Sequence, residues 1–260
     1  MLMKNLKFLI LLFIPLHLLG ISMFWITELS YLHLFYFIVG YILIGGLGTE
    51  VGLHRWASHK SVELKTYAKP IVLFLSLLSC QGHPIWWATV HRGYHHRKTD
   101  TPQDIHSPIT HGYFHAFIGW ILHHNISDIN FKYGADLIRD RVLHTTHRFY
   151  EVIIITTWVA VAFISVDFLL WAIILPTIIS FHSEGLINTL CHSRFGYRNF
   201  NTEDKSTNIL FLGLLAWGNG WHNNHHFDSS SFDFGKSISG KWWEIDPTRI
   251  FLPLIKNNVR

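Results

Sequence analysis

Charge is scarce in this chain. Asp, Glu, Lys and Arg together make up 15% of its 260 residues, where an ordinary soluble domain carries about 25%. The scarcity has a pattern: no Lys or Arg stands between Lys7 and Arg55, and none between Arg148 and Arg194. Each gap is long enough for two membrane crossings of about 20 residues with a short turn between them. Cysteine is nearly absent as well. Cys80 and Cys191 are the only two, and neither sits in a CxxC pair, which excludes a disulfide framework and leaves two packed thiols. No GxGxxG turn, CxxC cluster or separate haem module occurs, so no electron-carrier domain is visible. The Lys and Arg present do not gather into a basic helix with stacking aromatics. The net charge of +4 therefore argues for a membrane surface and against nucleic acid.

What remains is 49% hydrophobic and 15% aromatic, the composition of one integral membrane domain over residues 1–260. The first gap breaks at TELS (Thr27 to Ser30) and the second at Ser165, Val166 and Asp167. The expected architecture is all-α, with four transmembrane helices near 7–26, 31–50, 149–165 and 168–188. They form two hairpins below a helical cap. Every Lys and Arg then lies on one side, which the positive-inside rule makes the cytoplasm. MLMKNLK has the basic start of a signal peptide, but no small-residue cleavage site follows, so it reads as a retained first span. The apolar stretch from Lys69 to Val90 is interrupted by Gln81, Gly82, His83 and Pro84. It is expected as a re-entrant or interfacial segment buried against the other helices.

Twenty histidines outnumber the 17 acidic residues, and an imidazole near bilayer depth is costly without a partner. Nine of them fall into four short stretches. HRWASHK holds His54 and His59, HRGYHHRK holds His91, His95 and His96, CHSRFG holds His192, and WHNNHHF holds His222, His225 and His226. With the spans placed as above, all four stretches emerge at the cytoplasmic face and can converge. On an α-helix His222, His225 and His226 project from one flank, while the roughly 100° between the adjacent pair suits two neighbouring ions better than one. His54 and His59 lie about 140° apart round a regular helix. They require a helix end, a bulge or two different metals. Imidazole nitrogen suits iron, copper, zinc and nickel, so ligand type alone leaves the metal open. The other eleven, His17, His33, His83, His106, His111, His115, His123, His124, His144, His147 and His182, lack box spacing. They are expected at the interface or in hydrogen bonds that orient ligands.

With GLGTEVGLHRWASH, QGHPIWWATVHRGYHH, DTPQDIHSP, INTLCHSRFGYRNF, GNGWHNNHH and WWEID, the chain from about Gly45 to Arg249 resembles the membrane fatty acid desaturases of the stearoyl-CoA and bacterial delta-9 type. That resemblance implies two irons (Fe2+/Fe3+) held by His54, His59, His91, His95, His96, His192, His222, His225 and His226. Asn188, four residues before His192, would reach one iron through water. It also implies an oxidoreductase of fatty acid biosynthesis in a bacterial inner membrane, its active site on the cytoplasmic face. Dioxygen is reduced with two electrons from a ferredoxin or b-type cytochrome and its reductase, and hydrogen is removed from two adjacent methylenes of a long acyl chain. Position must replace chemical recognition for so featureless a substrate, so a bent apolar tunnel is implied. The family's bend-lining Gln and Trp match Gln81 and Trp87; an interfacial aromatic belt is the other reading of Trp86 and Trp87.

Three departures from the family pattern matter. The second box has three residues between His91 and the His95–His96 pair, where animal stearoyl-CoA enzymes have two. Thr89 and Val90 stand where those enzymes place an Arg and an Asp on CoA, so a lipid-bound or carrier-protein-bound acyl group is as well supported as a CoA ester. Glu184 and Gly185 replace a Thr and a Trp near the tunnel bend. Glu184 either lines the tunnel, with space left by Gly185, or is a hydrogen-bonded structural carboxyl paired with His182 or Gln81. The nearest alternative functions are the same scaffold acting as a hydroxylase, acetylenase or alkene-forming decarboxylase. A metal transporter or zinc-dependent membrane hydrolase is more remote, since the boxes lie at helix ends and not at mid-span.

Overall fold

The computed structural model describes residues 8–123 and 129–257. Lys7 of the expected first span and His124 lie outside the described residues, as does the side chain of His123. Among the described residues the structure is helical throughout and has no strand; three isolated bridges, Leu64 with Lys256, Tyr197 with Asn208 and Asn208 with Trp221, tie loops together.

Helix α1 (Ile10–Ile26) and α2 (Tyr31–His59) are separated at the TELS turn, where the Ser30 hydroxyl caps α2 by accepting from the His33 N–H. Helix α3 (Ala68–Leu78) and α4 (Pro84–Val90) follow, then α5 (Arg141–Arg148), α6 (Tyr150–Ile164) and α7 (Val166–Leu190). Helix α8 (His222–Phe227) carries the last histidine stretch. Two helices, α2 and α7, are long and apolar enough to cross a membrane, and a third crossing results if α5 and α6, bent by 69°, are one span. Helix α1 is a shorter apolar helix.

The break in the 69–90 segment falls where the sequence places it. Cys80 and Gly82 have φ of 54° and 95°, left-handed values that end α3, and the Nδ1 of His83 then accepts from the Ile85 N–H to start α4. Helix α3 lies against α2 at a very small separation. A Cβ on Gly48 would come within 2.5 Å of the Leu75 carbonyl oxygen, and one on Gly52 within 2.0 Å of Ser76 Oγ. These two glycines let Ser76 Oγ donate to the Gly48 carbonyl at 2.9 Å.

The helix that contains the expected second span runs on beyond it. Helix α2 does not stop near residue 50 but continues to His59, 29 residues in all. At about 1.5 Å per residue this is roughly 40 Å, longer than the ~30 Å hydrocarbon layer. His54 and His59 therefore sit on the helix itself, near its C-terminal end. From Ile42 to His59 the helix is π-helical, with Lys60 N–H bonding Arg55 O across five residues. That winding places residues five apart on one face, which supplies the bulge that the His54–His59 spacing requires.

The two hairpin turns meet at the opposite end. His33 stacks on Trp171 at 4.9 Å, its Nε2 lies 3.4 Å from Asp167 Oδ2, and Trp171 Nε1 donates to Thr27 Oγ1 at 3.0 Å. Along the same helices Phe24, Trp25, Phe35, Phe163 and Ile164 are exposed, an apolar outer surface that a lipid environment would cover.

Candidate metal centre

The nine box histidines fall into two groups. His54, His59, His91, His96 and His225 form one; His95, His192, His222 and His226 form the other. The π-helical winding decides this partition. His91–His96 is a π-helical turn, so His96, five residues on, returns to the face of His91, and their Nε2 atoms stand 3.1 Å apart. His95 turns to the second group. The extra residue in HRGYHH is thus absorbed by the wider turn. On α8, His222 and His226 are i, i+4 and share the second group, while His225 points to the first, as the angle between adjacent residues requires.

WHNNHHF also contains two asparagines, both fully buried, that hold loops and face no histidine group. Asn223 Oδ1 accepts from the backbone N–H of Asn199 and Phe200. Asn224 Oδ1 accepts from the side chains of Asn199 and Asn208, and its amide donates to Phe234 O and Glu244. Residues 199–208 and 234–244 are thereby stitched to α8, which fixes the helix that presents three imidazoles.

Nε2 atoms meet within each group, and five of the nine rings have an acceptor near Nδ1, one in the first group and four in the second. His54 Nδ1 donates to Glu50 (3.1 Å) and His226 Nδ1 to Asp204 (2.9 Å); His95 and His192 have Asp104 and Asp100 at 3.4 Å from Nδ1. His222 Nδ1 donates to the Asn219 carbonyl and to Asn219 Oδ1, both at 3.2 Å. A neutral imidazole with its proton on Nδ1 has a bare lone pair on Nε2. Yet the Nε2 atoms of His222 and His226 are 3.1 Å apart, lone pair against lone pair, an arrangement that a cation between them relieves. Burial pushes His91, His96, His222 and His225 well below the usual histidine range, and lowers His226 to about 4 although Asp204 pulls the other way. Convergent imidazoles, most of them kept neutral by burial and several braced at Nδ1, are what a divalent transition metal needs.

A cavity runs beside both groups. Gln81, Trp87, Glu184, Gly185 and Asn188 line it together with His91, His95 and His222, and Trp86, Phe117, Trp120 and Phe181 supply apolar wall. Trp87 stacks on His91 at 4.5 Å. Gln81 donates to Thr49 and Ser180 hydroxyls. Gly185 borders the cavity, but the room left by its missing Cβ is closed by Phe117, whose carbonyl oxygen is 2.7 Å from that position. Thr89 and Val90 are buried, and Val90 is part of the cavity lining. Neither expected partner of Glu184 is found: His182 pairs with His17 (Nε2 to Nε2, 3.0 Å), Gln81 is occupied as above, and Glu184 Oε2 accepts from Asn219 Nδ2 at 3.0 Å.

The sequence that builds this arrangement has known relatives. A family model described as fatty acid desaturase matches residues 29–230. The chain belongs to the fatty acid desaturase family. It is 33% identical over 220 residues to the acyl-CoA C20 Delta5-desaturase of Anemone leveillei, covering 83% of this chain and 68% of that protein. It is 30% identical over 218 residues to the sn-1 stearoyl-lipid 9-desaturase of Anabaena variabilis, covering 83% and 78%, and 31% identical over 231 residues to Delta-9 acyl-lipid desaturase 2 of Arabidopsis thaliana, covering 86% and 69%. These desaturases are oxidoreductases of lipid metabolism, and the apolar helices of this family member are compatible with membrane association.

The residues that hold Nδ1 were not legible as such in the sequence of this desaturase family member. Asp100 and Asp104 lie inside DTPQDIHSP and Glu50 stands four before His54, so the signal was present as carboxylates near the boxes. Asn219 stands inside GNGWHNNHH, three before His222; Asp204 carries no comparable mark. His106 joins His95 and Asp104 in a third group of ligand-type side chains.

Proposed function

We propose that this chain is an oxygen-dependent membrane di-iron acyl desaturase, delta-9-like, acting on a long acyl chain carried by a lipid, a carrier protein or CoA. The observation that carries the proposal is the division of nine inward-facing imidazoles into adjoining groups of five and four, beside a cavity walled by aromatics. The two irons, when bound, supply oxygen activation and the removal of two hydrogens. The protein's own part is to hold the ligands and to place one carbon pair: Trp87, stacked on His91, and Gln81 line the cavity that would take the chain, and Asn188, on the same lining, would reach iron through water. Aromatic walls also exclude bulk water from the site.

The chain is a single domain in this reading, with α1, α2, α6 and α7 as four spans. The meeting of the two hairpin turns, with the histidine groups at the other end of α2 and α7, supports it. The site then lies at the cytoplasmic face of a bacterial inner membrane, within reach of a ferredoxin or b-type cytochrome. Cysteine labels at Lys65, Lys132 and Lys236 should react from the cytoplasmic side, and labels at Ser30 or Asp167 from the other. Opposite labelling of positions 65 and 132 would mean that the 69–90 segment crosses, and the four-span scheme would fall.

The decisive experiment is lipid analysis, with double-bond location, of a host that lacks its own desaturase and expresses this chain. New monounsaturated chains are expected. Hydroxylated, acetylenic or terminal-alkene products in their place would assign the scaffold to one of those oxidations instead.

A further inference from the structure

The carboxyl of Glu184 has no role in holding an acyl chain that a methyl group would not fill better, and a carboxyl in an apolar wall is costly unless it is partnered. Its partner is specific. Asn219 Nδ2 donates to Glu184 Oε2, and the Oδ1 of the same amide accepts from His222 Nδ1. An amide can sit in two orientations that differ only by exchange of oxygen and nitrogen. In one, Oδ1 faces His222, keeps the imidazole proton on Nδ1 and leaves Nε2 bare toward His192 and His226. In the other, an amide N–H faces the ring N–H that the Asn219 backbone carbonyl already accepts, and the ring is pushed from the orientation that presents Nε2 as a ligand. A carboxylate can only accept, so it selects the first orientation.

We infer that Glu184 is a positioning residue for the second metal: by orienting the Asn219 amide it adds a second acceptor at His222 Nδ1, beside the Asn219 backbone carbonyl, and so fixes the ring orientation of His222. The inference rests on the two-metal reading above and deepens it. The arrangement differs from the bracing of His226, where Asp204 accepts directly from the ring. For His222 the carboxylate comes from a distant helix, α7, and acts through an intervening amide. Glu184 also meets Glu50, which holds His54, so the side chains that brace one histidine of each group are in contact.

The test uses metal uptake by purified full-length apoprotein, with Co2+ as the probe and its ligand-field absorption as the readout. Wild type should take up two ions. Glu184→Leu should keep the first and bind the second about 10- to 100-fold more weakly, the usual cost of removing such a partner. Glu184→Gln retains an oxygen acceptor for Asn219 and should stay within a few-fold of wild type, which separates this effect from misfolding. Asn219→Ala should weaken the same ion, and combining it with Glu184→Leu should cost no more than the larger single effect, since both act along one path. His222→Ala identifies which ion is affected. Unchanged affinity for both ions in Glu184→Leu, equal weakening of both, or a shift in product chain length with metal uptake intact would each overturn the inference. Failure of wild type to bind a second ion would overturn the two-metal reading itself, and the inference with it.

Discussion

The two histidine groups are built differently although they adjoin. The group of five has one carboxylate, Glu50, and that carboxylate is shared. It accepts from His54 and also pairs with Arg55, which is fully buried, pairs with Asp246 at 2.7 Å and lies 4.1 Å over the Phe234 ring. The group of four is ringed by Asp100, Asp104 and Asp204, one for each of His192, His95 and His226. In the first group the outer support is therefore part of a buried ion-pair network that joins α2 to the C-terminal segment. In the second it is a set of separate braces. The electrostatic consequence is visible at His95: burial lowers it, but Asp104, Asp100 and Asp204 outweigh burial and hold it above the usual range. The imidazoles of His91, His96 and His225 have no such compensation. Stability and metal affinity should accordingly be coupled in the first group and separable in the second.

Removal of a ligand gives the largest effect. His225→Ala and His192→Ala should each abolish product, and elemental analysis of protein purified anaerobically should show about one iron lost from each, because each group would hold one of two ions. Loss of both irons from either variant would mean that the groups are one site and not two. Substitution of the outer carboxylates sharpens the comparison. Glu50→Gln leaves Arg55 buried with one partner fewer and should cost roughly 3 kcal/mol of stability, as breaking a buried pair does, read as a lowered Tm together with weaker metal binding. Asp204→Ala should weaken the second ion by about 10- to 100-fold with a much smaller change in Tm. Equal Tm shifts in the two variants would break the distinction.

The smallest expected effect is on pH dependence. His226 sits at about 4 in the folded chain against 6.5 for a free imidazole. Between these values the unfolded chain binds the proton and the folded one does not, so this residue's contribution to stability is present above 6.5 and is lost as pH falls toward 4. His95 has the opposite sign: held above 6.5, it stabilises below that value and less as pH rises through its folded pKa. Thermal melts of the apoprotein should therefore show a decline from pH 6.5 to 4 on the His226 side, and a decline as pH rises above 6.5 on the His95 side whose slope flattens in Asp104→Asn. An unchanged slope in that variant would show that Asp104 does not set the charge of His95.

The sequence by itself determined which residues form the centre and the coarse helical plan. Nine histidines at fixed separations, and two long gaps without Lys or Arg, are local facts about composition and spacing, and local physics reads them directly. The breaks at Thr27 to Ser30, at Ser165 and within the 69–90 segment were legible for the same reason: capping polar residues, or Gly and Pro set together, favour a helix boundary. Three things were decided only by tertiary structure. The partition into five and four depends on π-helical winding at 42–59 and 91–96, which no periodicity rule based on 3.6 residues per turn can anticipate. The bracing of Nδ1 depends on loops that bring Asp100 and Asp204 to rings distant in the chain, whereas Asn219 reaches His222 from three residues away. The partner of Glu184 was settled by the approach of α7 to the turn before α8, which brought an amide to a carboxyl 35 residues away. A side chain chooses among distant partners only when packing has removed the others, and the sequence around Glu184 contains no record of that removal.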